Sequence, residues 1–288
     1  MFGLTTASAP RLAYGFWRYR EDEAAPALAM LARARERGMD HLDTADVYGG
    51  RETFGGAERL LGALRRRAPS LFDGACLATK AGVEPGSPYN SSAGHIVAAC
   101  EASLQRLGVE RIDLFYVHRP DLLTHPAELA GGLDQLVVQG KVAAIGVSNY
   151  APGQIAALAD ALTAPIATLQ IEISAAHMAP FFDGVLDTAM QRRIPVLAWS
   201  PLAGGRLAGD DAALALVQSK LAEIAHRRGA PLEAAALAFL LRHPAGVTPI
   251  VGTKTPERLD ACLAALDLTL SRAEWYAIVE AGLGRPLP

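Results

Sequence analysis

Cysteine is scarce in this 288-residue sequence, and the three present, Cys76, Cys100 and Cys262, form neither an even set nor a CxxC pair. That argues against a disulfide framework, and leaves buried, reduced thiols within apolar segments as the expectation. Charge of one sign is also nearly lacking in excess, with a net value of -3. Such a balance provides no general attraction to nucleic acid or to an anionic membrane, so neither is an expected partner and any basic site must be local. Long apolar runs are missing as well: none is long enough to span a bilayer. The opening Met1-Phe2-Gly3-Leu4-Thr5-Thr6 has no charged n-region or apolar h-region, so a soluble cytoplasmic protein is expected.

What the sequence does have is apolar periodicity. Hydrophobic residues make up 51% and charged residues 20%, the balance of an ordered globule. From Arg11 onward, short apolar runs alternate with stretches of helical spacing, the pattern of parallel strands joined by crossover helices. Strands are predicted at 12–15, in the run ending at Asp43, and at 75–79, 112–117, 142–147, 165–169, 195–198 and 248–251.

Ala24, Leu28, Leu31 and Ala32 mark a first helix, with Gly38 as its left-handed cap. Leu60, Leu61 and Leu64 mark a second, and Ile96, Cys100, Ser103, Leu104 and Leu107 a third. Pro126 opens a fourth that buries Leu129, Leu133, Leu136 and Val137 before Gly140. Later helices carry Leu214, Val217, Leu221 and Ile224, then span 232–241, then start at Pro256; Ser271 and Glu274 form a capping box for the last. Eight strand-helix units fit an α/β fold, a (β/α)8 or TIM barrel, which needs roughly 250 residues. With no linker or low-complexity tract, residues 1–288 are expected to form a single domain.

Strands two to eight are apolar along their bodies and polar at their C-terminal ends, with Asp43, Lys80, His118, Asn149, Gln170, Ser200 and Thr253 in turn. A barrel brings these ends to one mouth, where barrel enzymes place their active sites. Tyr48 follows Asp43 by five residues, where strand gives way to loop. A phenol, with an unperturbed pKa of about 10, becomes a usable acid near neutrality beside a positive charge. Lys80 is a candidate for that charge, Asp43 for the group that holds it, and His118 for orienting a carbonyl oxygen or sharing the proton. Taken singly, each has a plainer reading: a surface lysine, a satisfied loop histidine, a rim aromatic. After the eighth strand, Thr253, Lys254 and Arg258 flank a helix N-terminus, where backbone donors and cationic side chains together favour an anion.

Four ordered segments carry a resemblance: Gly38-Met-Asp-His-Leu-Asp-Thr-Ala-Asp-Val-Tyr-Gly49, the Ala-Thr-Lys ending at Lys80, the Tyr-Val-His-Arg-Pro-Asp around His118, and the Gly-Val-Ser-Asn ending at Asn149. Spread over a match from about Gly15 to about Leu266, they resemble the aldo-keto reductases, and the Ala-Trp-Ser-Pro-Leu-Ala-Gly-Gly-Arg-Leu segment resembles a bacterial YdhF-like subgroup. The resemblance implies a tetrad of Asp43, Tyr48, Lys80 and His118 in an oxidoreductase that reduces a small aldehyde or ketone with NADPH, without a metal. It further implies that Ser148, Asn149 and Gln170 hold the carboxamide, that Trp199 stacks on the nicotinamide, and that Gly15 and Trp17 lie near cofactor and substrate. Ser200, Leu202, Gly204 and Arg206 correspond to the loop over the pyrophosphate, and Thr253, Lys254 and Arg258 to the 2′-phosphate site.

Two positions depart from the family pattern: Ala261 and Cys262 stand where many relatives face the adenine with an acid and an asparagine. The sequence also ends soon after its last helix, without the long closing loop of many members. Other readings remain open at this stage: a Schiff-base lyase through Lys80, a metal hydrolase using His41, Asp43, His118 and Asp121, and a nicotinamide-binding regulatory protein with little turnover. Neither natural substrate nor oligomeric state is legible.

Overall fold

A computed structural model describes residues 11–49, 53–84 and 86–288, so the opening Met1–Thr6 lies outside it. Strands and helices alternate: β1 (Ala13–Gly15), α1 (Ala24–Glu36), β2 (His41–Asp43), α2 (Gly56–Arg67), β3 (Cys76–Ala81), α3 (Ala93–Leu107), β4 (Leu114–Val117), α4 (Pro126–Val138), β5 (Ile145–Ser148), α5 (Pro152–Ala161), β6 (Ile166–Glu172), α6 (Val185–Arg192), β7 (Val196–Trp199), α7 (Ala215–Arg228), α8 (Leu232–Leu241), β8 (Val247–Val251), α9 (Pro256–Leu263) and α10 (Arg272–Leu283). The strands follow chain order, β1 to β8, in a closed barrel, as the strand-helix alternation predicts. Two compact units, Ala13–Gln170 and Ile171–Pro288, divide most of the chain.

Within Ala13–Gln170 the core is built by stripes of the predicted kind. α3 buries Ile96, Cys100, Ser103, Leu104 and Leu107, the five residues its spacing marks, and ends at Gly108 in the left-handed region. Removing each large aliphatic of that stripe from water contributes about 1.5–3 kcal/mol. Inside the barrel, Thr168 Oγ1 donates to Tyr116 Oη at 2.8 Å. Gly146 on β5 makes that approach possible, because a Cβ there would run into the Tyr116 ring. Gly38 takes φ +75° just past α1, the left-handed geometry expected of it.

Within Ile171–Pro288, the capping box of α10 forms as predicted: Glu274 N–H donates to Ser271 Oγ at 3.2 Å, and Ser271 N–H donates to Glu274 Oε2 at 2.8 Å. The same carboxylate receives Arg228 Nη2 at 2.7 Å, tying α10 to α7. Indole N–H of Trp275 donates to the Phe239 carbonyl at 2.9 Å, joining α10 to α8. All three cysteines are buried free thiols.

Several expectations shift. The buried stripe of α1 is Ala27, Met30, Leu31 and Ala34 rather than Ala24, Leu28, Leu31 and Ala32. In a segment this rich in alanine and leucine, polar residues do not mark which phase faces inward. Val137 and Leu214 are only half-buried. Lys80 and Gln170 lie within β3 and β6, not at their ends, because each strand runs two or three residues further than its apolar run.

Candidate functional site

The site grows from one buried ion pair. Asp43 closes β2 and Lys80 sits in β3, two strands that pair in parallel with His41 opposite Cys76 and Asp43 opposite Ala78. Lys80 is fully buried and Asp43 is 4% exposed. Lys80 Nζ donates to Asp43 Oδ1 at 2.7 Å, to Oδ2 at 2.8 Å and to the Thr44 carbonyl at 2.7 Å. Gln170 Nε2 adds a further bond to Asp43 Oδ1 at 2.8 Å. These bonds offset the desolvation of two charges, and they use all three donors of the ammonium. Burial pushes the Lys80 pKa down, while Asp43, then Asp46 and Glu58, pull it back.

Tyr48 stands on the loop that leaves β2, held by its N–H to the Ala45 carbonyl at 3.1 Å and by Ala57 N–H to its own carbonyl at 3.0 Å. Its ring lies 5.1 Å from Lys80 Nζ and meets the His118 ring edge-on at 5.8 Å, with 81° between the planes. Lys80 therefore touches the phenol's face and not its hydroxyl. Burial pushes the Tyr48 pKa up, Asp43 pushes it further, and Arg119 opposes them. The ammonium's donors are taken by Asp43 and Thr44, so Lys80 acts on the phenol through its charge and not through a hydrogen bond. His118 is buried, with Nδ1 unpartnered. Burial, aided by Lys80 and Arg119, lowers its pKa to about 3, so the imidazole is neutral at physiological pH.

Two further acids, Glu58 and Asp46, are buried within electrostatic reach of Lys80, though neither was expected from sequence. Glu58, on the first turn of α2 and fully buried, accepts Thr79 Oγ1 at 2.5 Å and Arg106 Nε at 2.6 Å. Asp46, 1% exposed, has no side-chain donor on either carboxylate oxygen. Burial and the Glu58 charge push its pKa up to about 8. The available signal was Asp46 lying between Ala45 and Val47, on the same short stretch as Asp43 and Tyr48. His41, read above as a possible metal ligand, is instead a core imidazole whose pKa burial lowers to about 4. Among the described residues, no three His, Cys, Asp or Glu side chains gather to hold a metal ion.

The other candidates fall in two groups. In Ala13–Gln170, Ser148 on β5 pairs with Gln170 on β6, and Asn149 N–H donates to the Gln170 carbonyl at 2.9 Å. Asn149 holds φ +62° and donates through Nδ2 to Ser148 Oγ at 2.8 Å and to the His118 carbonyl at 3.3 Å. Gly15 closes β1 opposite Asp43, while Trp17 is 59% exposed under the Arg18 guanidinium.

In Ile171–Pro288, Trp199 closes β7 and a loop follows with Ser200, Ala203, Gly204 and Gly205 at φ +49°, +50°, +71° and +98°. Leu202 and Arg206 belong to that loop, and Arg206 bonds the Ala203 carbonyl at 3.1 Å and Asp211 at 3.3 Å. Thr253 and Lys254 precede α9, whose start has no side-chain cap, and Arg258 is exposed on its first turn. Cys262 is turned into the core, 2% exposed, so it offers nothing to a surface ligand.

Comparison with known proteins agrees with the geometry. Residues 11–282 match the model of the Aldo/keto reductase family. The 6-dehydroglucose reductase of Novosphingobium aromaticivorans is 43% identical, over 96% of this chain and 93% of its own. Oxidoreductase YdhF of Escherichia coli is 34% identical, over 96% and 95%. The crystal structure of an aldo/keto reductase from Klebsiella pneumoniae in complex with NADP and acetate superposes with a TM-score of 0.80 at 28% identity, covering 98% of this chain and 93% of that one. The chain belongs to the aldo/keto reductase family, and is an oxidoreductase with relatives of the YdhF kind.

Proposed function

We propose that the protein reduces a small aldehyde or ketone to an alcohol with NADPH, which supplies a hydride when bound. The observation that carries this reading is the buried Asp43–Lys80 pair set against the Tyr48 ring, with a neutral His118 edge-on to the same ring. Tyr48 is the proton donor. Burial keeps its phenol protonated at neutral pH, and the alkoxide developing on the substrate is basic enough to take the proton. Lys80, fixed by Asp43, then steadies the phenolate through its charge at the ring face. His118 orients the carbonyl oxygen by a ring N–H.

The residues present fit the cofactor. Within Ala13–Gln170, Ser148, Asn149 and Gln170 offer the hydroxyl and amide groups a carboxamide needs, with Gly15 and Trp17 as further cofactor residues; within Ile171–Pro288, Trp199 offers an aromatic face. The loop after β7, with Ser200, Ala203, Gly204 and Gly205 in the left-handed region and the Arg206 cation beside them, suits a pyrophosphate contacted by Ser200, Leu202, Gly204 and Arg206. The uncapped start of α9, with Thr253, Lys254 and Arg258, suits the 2′-phosphate. We further propose that the chain works as a single domain in the cytoplasm; among the described residues no helix is long and apolar enough to cross a membrane.

Purified protein with NADPH is to be offered aldehydes, ketones and, in view of the relative's name, 6-dehydroglucose, following loss of reduced-nicotinamide absorbance. Turnover of at least one carbonyl is expected, abolished or nearly so in Tyr48→Phe. Tight NADPH binding without turnover would favour the regulatory reading. Borohydride trapping of substrate on Lys80 would favour the lyase.

A further inference from the structure

We infer that Glu58 is a positioning residue for the proposed reduction: its carboxylate ties the loop that carries Tyr48 to the strand that carries Lys80. Its effect on rate rests on that reading; the tether itself does not.

Two sets of contacts in the unit Ala13–Gln170 meet at this side chain. The first joins the Tyr48 loop to the start of α2. Gly55 N–H donates to the Asp46 carbonyl at 2.5 Å, Ala57 N–H to the Tyr48 carbonyl at 3.0 Å, and Thr53 Oγ1 to the Gly49 carbonyl at 2.6 Å. Gly49 and Gly56 approach main chain to main chain, since a Cβ at Gly49 would lie 2.6 Å from Gly56 Cα. A shift of the helix start therefore carries the loop with it.

The second set fixes that helix start to β3 and α3. Glu58 follows Ala57 directly; its Oε1 accepts Thr79 Oγ1 at 2.5 Å and its Oε2 accepts Arg106 Nε at 2.6 Å. Arg106 is braced in turn, Nη2 donating to Ser103 Oγ at 3.1 Å. Thr79 immediately precedes Lys80 in β3, and successive strand side chains point to opposite faces. The strand thus presents Lys80 to Asp43 on one face and Thr79 to Glu58 on the other.

Stability alone is a poor reason for a carboxylate here. A buried ion pair gains little over apolar side chains of similar volume, because desolvation consumes much of the attraction. What two charge-assisted or short bonds at one carboxylate add is direction: they set where α2 begins relative to β3. Through them the 5.1 Å between Lys80 Nζ and the Tyr48 ring is held constant. Rate depends steeply on such placement, a displacement of about 1 Å costing as much as about 10²-fold.

The test uses full-length protein with propanal and NADPH. Thr79→Val removes the bond to β3 and keeps the Glu58–Arg106 pair; Glu58→Ala removes both bonds; Glu58→Gln keeps an acceptor for Thr79 without the charge. The single-turnover rate should fall about three- to ten-fold in Thr79→Val and about 10- to 10²-fold in Glu58→Ala, with KM and NADPH affinity within about two-fold of wild type. Glu58→Gln should recover the rate to within about three-fold of wild type. A second readout needs no turnover. In protein labelled with 3-fluorotyrosine, the Tyr48 fluorine signal, assigned by its loss in Tyr48→Phe, should shift in Thr79→Val and Glu58→Ala, while the Tyr150 signal stays. An unmoved Tyr48 signal would overturn the inference whatever the turnover. So would wild-type rates in both variants, a loss confined to KM, or a Glu58→Gln no better than Glu58→Ala, which would assign the effect to charge. Should the wild type reduce no carbonyl, the reduction reading fails and the fluorine signal alone decides on the tether. Should Glu58→Ala fail to fold, Thr79→Val decides.

Discussion

Charge is gathered in two parts of this chain, and in opposite ways. At the end of β2 and within β3, Asp43 and Lys80 are 4% and 0% exposed and bonded through every ammonium donor. Around the start of α9, Lys254 is half-buried and Arg258 is exposed. A buried pair must be satisfied by the fold itself, so its geometry is built in, titrations around it shift, and salt hardly reaches it. Exposed cations contribute little until a ligand arrives, and what they then contribute is screened. The first arrangement suits moving a proton at a fixed place; the second suits discriminating one ligand from another.

The sharpest way to break this contrast is Lys80→Met. It leaves Asp43 buried with only Gln170 as a side-chain partner, and should lower stability by about 3–5 kcal/mol in urea denaturation as well as removing nearly all turnover. A variant as stable as wild type would mean that the pair is not a buried charge at all. Tyr48→Phe comes next: it should leave stability and NADPH binding nearly unchanged but reduce kcat by about 10²- to 10⁴-fold, the usual worth of a positioned proton donor. Single-turnover measurements retaining most of the rate would remove Tyr48 from the chemistry.

At the exposed end, Arg258→Ala should weaken NADPH binding about ten- to a hundred-fold, equivalent to roughly 1.5–3 kcal/mol for a charge-assisted bond, and leave NADH almost unaffected. Raising salt should narrow the gap between the cofactors. Fluorescence titration of both cofactors gives the constants, and equal losses for the two would assign Arg258 to the fold or to the adenine.

The barrel was legible because its signals are local and repeated. Apolar runs ending in one polar residue recur, and the α3 stripe marked by spacing is the stripe that is buried. The helices α5 and α6 were not individually legible. α5 buries only Ile155 and Leu158, and α6 is eight residues held between left-handed Gly184 and Arg193, too few apolar markers to show a period. At the site, the pairing of Asp43 with Lys80 could be inferred from their places at neighbouring strands. The direction of the Tyr48 shift could not, because it depends on how much water the fold removes and on where three ammonium donors point. Glu58 was hidden for a similar reason: its partners Thr79 and Arg106 lie 21 and 48 residues away in sequence.

A pH dependence with a slope of about 1.4 kcal/mol for each unit of pH separates two acids within the buried region itself. Asp43 has its side-chain partners; Asp46, three residues on, has no side-chain donor on either oxygen. In the unfolded chain Asp46 ionises near 3.8, and in the folded protein near 8. Between those values the native state binds a proton that the unfolded state does not, so this group makes stability fall as pH rises. Asp46→Asn keeps the shape without the titration. Its advantage over wild type should be absent near about pH 4, grow through neutrality, and level off above about 8. His41 and His118, with pKa values lowered to about 4 and about 3, act in the opposite sense below 6.5, where the unfolded imidazoles take protons that the folded ones refuse. Both proteins carry them, so their effect cancels in the difference. Urea denaturation of wild type and variant at about pH 5 and about pH 8 measures that difference directly. A constant gap between the two would show that Asp46 is already ionised in the native state, and that burial is no harder on it than on its partnered neighbour.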